Sequence, residues 1–180
     1  MIGSLATVGL TAAFLAPAGV VGHAVWQHYA PWDLTPPRTL SAKVDRIVID
    51  KGLRTMAVYR DGQIRKRYSI ALGFAPDGDK LQQGDGKTPE GIYRIDRRNA
   101  QSSYHLSLGI DYPRAEDRAE AAEKGVSPGG DIFIHGQPNS VADNMMIPGD
   151  WTAGCVALTN AEIQELFKYT PVGTEVEIRP

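Results

Sequence analysis

Apolar and polar positions follow different rhythms along this chain. Residues 5–25 are mostly apolar, and no Asp, Glu, Lys or Arg occurs between Ile2 and Trp32. Residues 27–43 are polar and rich in proline, with Pro31, Pro36 and Pro37. From Val44 onward, short runs of β-branched and aromatic residues alternate with Gly, Asp and Pro clusters, which is the pattern of strands and turns. Val44 with residues 46–49 predicts a buried strand, and residues 54–59 predict another. Asp61-Gly62 between strand-like flanks predicts a hairpin turn, and 64–72 continues as a strand. A polar, Gly-rich loop at 73–86 leads into Thr88-Pro89-Glu90-Gly91. Strand character returns at 92–95, 132–134 and 174–178.

Two stretches carry helical signals. Residues 114–124 (RAEDRAEAAEK) are rich in Ala, Glu and Lys, and Gly125 supplies a stop. This helix is expected to be a solvent-exposed insertion. Thr159 followed by Glu162 fits a capping box that opens a helix reaching about Lys168. The expected domain is therefore mainly β, with two or three short peripheral helices.

Composition adds boundaries to that pattern. The chain has 180 residues, 42% of them hydrophobic and 22% charged, with a formal net charge of −2. That length suits one domain with an appendage, and the charge balance offers no basic patch for nucleic acid. A mostly apolar run of about 20 residues is long enough to cross a bilayer. Residues 1–26 are accordingly read as a signal peptide or an N-terminal membrane anchor, 27–43 as a linker, and 44–180 as the folded domain. Both N-terminal readings imply export to the periplasm or cell envelope, with the anchor implying attachment to the inner membrane.

The chain holds one cysteine, so Cys155 has no internal disulfide partner. A strand-like run ends in His135-Gly136, and a loop then leads to Trp151-Thr152-Ala153-Gly154-Cys155. Thiolate is the reactive form of cysteine, and a nearby imidazole accepts its proton. Gly154 lets a substrate come close to backbone amides that hold an oxyanion. Spacing alone leaves other readings open: Cys155 as a small buried apolar residue, and His135 as a structural one. Cys155, His135 and His105 do not stand at zinc-like spacing, so no metal site is expected. Lys87 and Glu90 read as solvated turn charges, and Met145-Met146 with Pro148-Gly149 as a surface loop near the cleft.

Three motifs in this order resemble the catalytic domain of the L,D-transpeptidase (YkuD-type) family: Gly84-Asp85-Gly86-Lys87-Thr88-Pro89-Glu90-Gly91, His135-Gly136, and Thr152-Ala153-Gly154-Cys155. The likeness covers the chain from about Val44 to its end. It departs from many members at Ala153, where a second His is common. It departs again at Val156-Ala157-Leu158, where Arg or Asn often follows the Cys. Tyr104-His105-Leu106-Ser107 and Ala157-Leu158-Thr159 are similar to a subgroup that includes a hydrolase releasing lipoprotein from peptidoglycan.

The resemblance implies a β-sandwich or partly closed barrel, and chemistry that needs no metal or organic cofactor. It also implies that Cys155 attacks the third residue of a peptidoglycan stem tetrapeptide, that D-Ala departs, and that the acyl group passes to an amine. His135 would be the base, with Gly154 and Gly136 contributing backbone groups and Trp151, Thr152 and His105 lining the substrate site. Transfer to water instead would make a hydrolase that trims peptidoglycan or releases wall-linked lipoprotein. Two readings lie outside that chemistry: a peptidoglycan-binding module, and a redox-active thiol protein.

Overall fold

The computed structural model describes residues 39–180. The signal or anchor segment 1–26 and linker residues 27–38 lie outside the described residues. Within the remaining linker residues, Leu40 is buried and joins the hydrophobic core. Its N–H donates to Glu165 Oε1.

Among the described residues, eight strands and two helices follow in chain order: β1 (Arg46–Asp50), β2 (Thr55–Arg60), β3 (Gln63–Ser69), β4 (Gly91–Ser102), β5 (His105–Ile110), α1 (Ala115–Glu123), β6 (Phe133–His135), β7 (Val156–Ala157), α2 (Asn160–Tyr169) and β8 (Glu175–Arg179). They form a mixed sheet in the order β3-β2-β1-β8-β4-β5-β6-β7. The pairs β1–β8 and β6–β7 are parallel, and the other pairs are antiparallel. The expected mainly β architecture is thus the observed one.

Local sequence accounts for the turns. Asp61 and Gly62 both take positive φ, 53° and 71°, in the two-residue loop between β2 and β3, which matches the right-handed twist of the flanking strands. Thr159 caps α2: its hydroxyl accepts from the Glu162 amide, and the Glu162 carboxylate accepts from the Thr159 amide. Ile163 and Leu166 of α2 are fully buried and fasten the helix to the sheet. No described helix is long and apolar enough to cross a membrane.

Two features position the site. First, β4 is longer than the four residues the sequence pattern indicated. Gly91–Arg94 pairs with β8, and from Ile95 onward the strand pairs with β5. Its second half is mostly exposed, so it lacks the apolar alternation that marks a half-buried strand. Second, the chain after β3 meets β7 and brings the two ends of the strand order together. Ala71 and Ala157 exchange both backbone hydrogen bonds, at 3.0 and 2.8 Å, and the Thr152 amide donates to Leu72 O. This junction sets Cys155 at the head of β7.

Candidate active site

His135 ends β6, between β5 and β7. Its Nδ1 lies 2.6 Å from the carbonyl oxygen of Gly136. A carbonyl only accepts, so Nδ1 carries the proton and Nε2 keeps its lone pair. The ring stands against Tyr104, with centroids 4.7 Å apart, and edge-on to Trp151 at 5.8 Å. Burial pushes the imidazole pKa below its ordinary value, and the Gly136 hydrogen bond offsets only part of that. Histidine is therefore neutral at rest.

Gly136 is fitted between elements. A Cβ there would stand 2.6 Å from Asn160 Oδ1 and 2.9 Å from Ile163 Cγ2. Its N–H faces the carbonyl oxygens of Tyr104 and Leu106, so this amide is already committed to the hairpin.

Cys155 immediately precedes β7, whose register sets Val156 beside Ile134 and Ala157 beside His135. The thiol is therefore level with Phe133, two residues before His135 and on the same face of β6, because side chains alternate along a strand. The Phe133 N–H donates to Sγ at 3.4 Å, and the Asp131 carbonyl lies 3.5 Å from it. Burial pushes the thiol pKa up, outweighing the Phe133 amide, which favours thiolate. At rest the thiol and the imidazole are therefore both neutral.

The loop before Cys155 is held by Asp150 and Thr152. Asp150 accepts from the Leu72 amide and from the Arg54 guanidinium. Thr152 is buried; its hydroxyl accepts from Gly154 N–H at 3.1 Å and donates to Cys155 O at 2.7 Å. The Gly154 amide named as an oxyanion donor is therefore occupied, whereas Cys155 N–H donates to no described residue. Gly154 has φ +132°, and a Cβ would meet the Lys87 carbonyl at 2.6 Å. That approach locks the Cys155 loop onto the Thr-Pro-Glu-Gly turn.

The turn itself is organised by side chains that the sequence did not single out. Asp85 accepts from Lys80 Nζ and from the amides of Leu81, Gln82 and Lys87. Burial pushes its carboxyl up, but those hydrogen bonds outweigh it and hold the pKa at about 2. The buried Lys51 ammonium reaches Gly78 O, Thr88 O and the Glu90 carboxylate. Glu90 is thus a structural partner rather than a solvated turn charge. Gln137, fully buried, similarly ties the 137–150 loop to Leu158 O and the Ile147 amide.

The remaining sequence candidates are placed differently from one another. Trp151 flanks His135, and its indole N–H is buried without a partner among the described residues. His105 has φ +65° and its Nε2 accepts from the Gln164 side chain on α2 at 2.7 Å. Its neighbour Tyr104, not His105, lies against the His135 imidazole. Helix α1 is not a free insertion: Arg114 lies over the Tyr93 ring and donates to Ile92 O, and Tyr93 OH donates to Asp117. No three His, Cys, Asp or Glu side chains among the described residues converge as a metal-binding group.

The family model for the L,D-transpeptidase (YkuD) catalytic domain covers residues 44–178. YafK of Escherichia coli K12, a provisionally named L,D-transpeptidase, is 33% identical over 129 residues, spanning 68% of this chain and 46% of YafK. The helical cell shape determining protein Pgp2 of Campylobacter jejuni superposes with a TM-score of 0.59 at 29% identity, over 77% of this chain and 48% of Pgp2. The L,D-transpeptidase of Xylanimonas cellulosilytica shares the fold, with a TM-score of 0.51 at 17% identity over 89% of this chain and 70% of that one. The chain spans about half the length of YafK and Pgp2. By the family-model match over residues 44–178 and its identity with YafK, the chain belongs to the L,D-transpeptidase family.

Proposed function

We propose that this protein performs acyl transfer on peptidoglycan stem tetrapeptides in the cell envelope, with Cys155 as nucleophile and His135 as general base. The observation that carries the reading is the fixed tautomer of His135. Its Nδ1–H is donated to Gly136 O, which leaves Nε2 as the basic atom on the strand beside Cys155.

Because burial favours the neutral form of both groups, proton transfer accompanies attack rather than preceding it. Sγ adds to the carbonyl of the third stem residue while His135 takes the thiol proton. Collapse of the tetrahedral species expels D-Ala, to which His135 returns the proton, and a thioester remains on Cys155. The unengaged Cys155 N–H is the donor we assign to the oxyanion. Thr152 acts through the loop, by holding Gly154 and Cys155, rather than on substrate. Trp151 and Tyr104 line the imidazole side.

A second reading, hydrolysis of the same thioester, rests on the residues after the nucleophile. Val156, Ala157 and Leu158 are apolar and buried, so no cation there holds the carboxylate of an amine acceptor. Trimming of peptidoglycan, or release of a wall-linked lipoprotein, would follow from water as acceptor.

The test is incubation of the full chain with a tetrapeptide-stem muropeptide and an excess of a free amino acid, read by mass spectrometry. D-Ala release with an exchanged stem supports transpeptidation. D-Ala release with only the shortened stem supports hydrolysis. No release from either this donor or lipoprotein-linked muropeptide would overturn both readings.

A further inference from the structure

The peptide unit between Gly136 and Gln137 is held from both sides. Its carbonyl, on Gly136, accepts the His135 Nδ1–H at 2.6 Å. Its N–H, on Gln137, donates to Asn160 Oδ1 at 2.7 Å. A peptide unit is planar, so the two partners together set the rotation of one rigid plate. Asn160 stands at the first position of α2 and is only 1% exposed. Its Nδ2 donates to Val141 O at 3.0 Å. An N–H only donates and a carbonyl only accepts, so these two neighbours dictate which way the carboxamide faces.

Other contacts keep Asn160 at that post. Leu158 N–H donates to His135 O at 2.9 Å, which fixes the start of α2 relative to the end of β6. Gly136 makes the room that the carboxamide occupies, since a Cβ there would stand 2.6 Å from Asn160 Oδ1. Gln137 has a separate task. Its buried side chain joins Leu158 O to the Ile147 amide, and so holds the 137–150 loop without touching the Gly136–Gln137 peptide.

A buried N–H that loses its acceptor turns toward another oxygen, and the carbonyl on the same plate turns with it. The imidazole would then lose the group that keeps its proton on Nδ1. Rings with the proton on Nε2, which cannot act as the base there, would become populated. A hydrogen bond to the N–H of a peptide also polarises its C=O and strengthens it as an acceptor. We propose that Asn160 is a positioning residue for His135: through one peptide unit it aims the Gly136 carbonyl and keeps Nε2 as the basic atom. Its consequence for rate rests on the acyl-transfer reading, and its consequence for the tautomer does not.

The test is nitrogen NMR of the full chain with isotopically labelled histidine, at about pH 8, where a buried imidazole is neutral. The two ring nitrogens differ in shift according to which carries the proton, and His135→Gln identifies the His135 signals among the four histidines. The unaltered chain should show the Nδ1–H form. Asn160→Ala should mix the tautomers and lower kcat roughly 10- to 100-fold with KM little changed, because a misaimed base is felt in the chemical step. Asn160→Asp keeps an oxygen facing the Gln137 amide and should retain the Nδ1–H form. Gln137→Met loosens the loop but leaves the Gln137 N–H its acceptor, and should retain it too. Ala is well accommodated in a helix; if that chain does not fold, Asn160→Ser carries the same readout. An unmixed Nδ1–H form in the variant without the acceptor would overturn the proposal. So would mixing in Asn160→Asp, or equal mixing in Gln137→Met, which would assign the effect to the loop as a whole. Turnover of a tetrapeptide stem is scored separately: the expected tautomers without D-Ala release would keep the role of Asn160 and sink the acyl-transfer reading.

Discussion

His135 and Gly136 are neighbours in sequence and partners in chemistry: the histidine Nδ1–H is donated to the glycine carbonyl at 2.6 Å. The same glycine has no room for a side chain, because α2 crowds it through Asn160 and Ile163. One dipeptide therefore fixes the imidazole tautomer and its distance from the helix. That is why the His-Gly pair is informative where a lone His would not be.

The neutral state of the site has a signature in stability. Burial lowers the His135 pKa from its ordinary 6.5. The unfolded chain then binds the extra proton first, so stability falls as pH drops below 6.5. Burial raises the Cys155 pKa from 9.0. The unfolded thiol ionises first, so stability falls as pH rises above 9.0. Chemical denaturation across pH should show the contribution of both groups intact between these limits, and Cys155→Ala should remove the part of the alkaline loss that begins at 9.0, leaving the acid limb and the loss above 10.0 from buried Tyr68, Tyr93 and Tyr112. A Cys155→Ala chain with an unchanged alkaline limb would contradict the assignment.

Trp151 is expected to act on the base by keeping it dry and oriented. Trp151→Ala should let water reach His135 and move its pKa back toward 6.5. The acid limb of the kcat/KM profile would shift upward, with a loss of roughly 10- to 100-fold from misplacement. Trp151→Phe should retain most of the activity and the original limb. An unshifted limb in the Ala variant would assign Trp151 to packing only.

Asp85 is the knot of the turn beneath Cys155. Its pKa is held at about 2, so the stability it contributes is complete above 3.8 and lost as pH falls toward 2. Asp85→Asn should remove that acid dependence. It should also cost about 3 kcal/mol at neutral pH, because Lys80, only 3% exposed, is left without its counter-charge. Urea titration of the two chains at pH 7 measures this directly.

Gly154→Ala should be as damaging by a different route. The new methyl would stand 2.6 Å from Lys87 O at a φ of +132°, at a cost of about 2 kcal/mol or more. The rescue to test is none in the vicinity, since the obstructing atom is backbone. A variant with wild-type melting and activity would show that the loop yields freely.

Much of this was legible from local signals. Asp61-Gly62 announces its turn through positive φ, Thr159 and Glu162 announce a helix start, and the His135 and Cys155 motifs end up on adjacent strands. What escaped depends on partners distant in sequence. Residues 96–102 are polar and mostly exposed and carry little alternation, whereas β5 is mostly buried and alternates at Leu106, Leu108 and Ile110, a strand signal that was there to be read. Lys51 meets Glu90 across a fold that no spacing rule foresees, so both look like ordinary surface charges. Asp85 is an unremarkable turn residue until four donors converge on it.

The most direct measurement is the intact mass of the full chain after brief incubation with a tetrapeptide stem and acid quenching. The account expects an acyl adduct that maps to Cys155 and lacks D-Ala. The adduct should form at least about 100-fold more slowly in His135→Gln and not at all in Cys155→Ala. D-Ala release by the Cys155→Ala chain at an undiminished rate would contradict the central assignment and place the chemistry elsewhere.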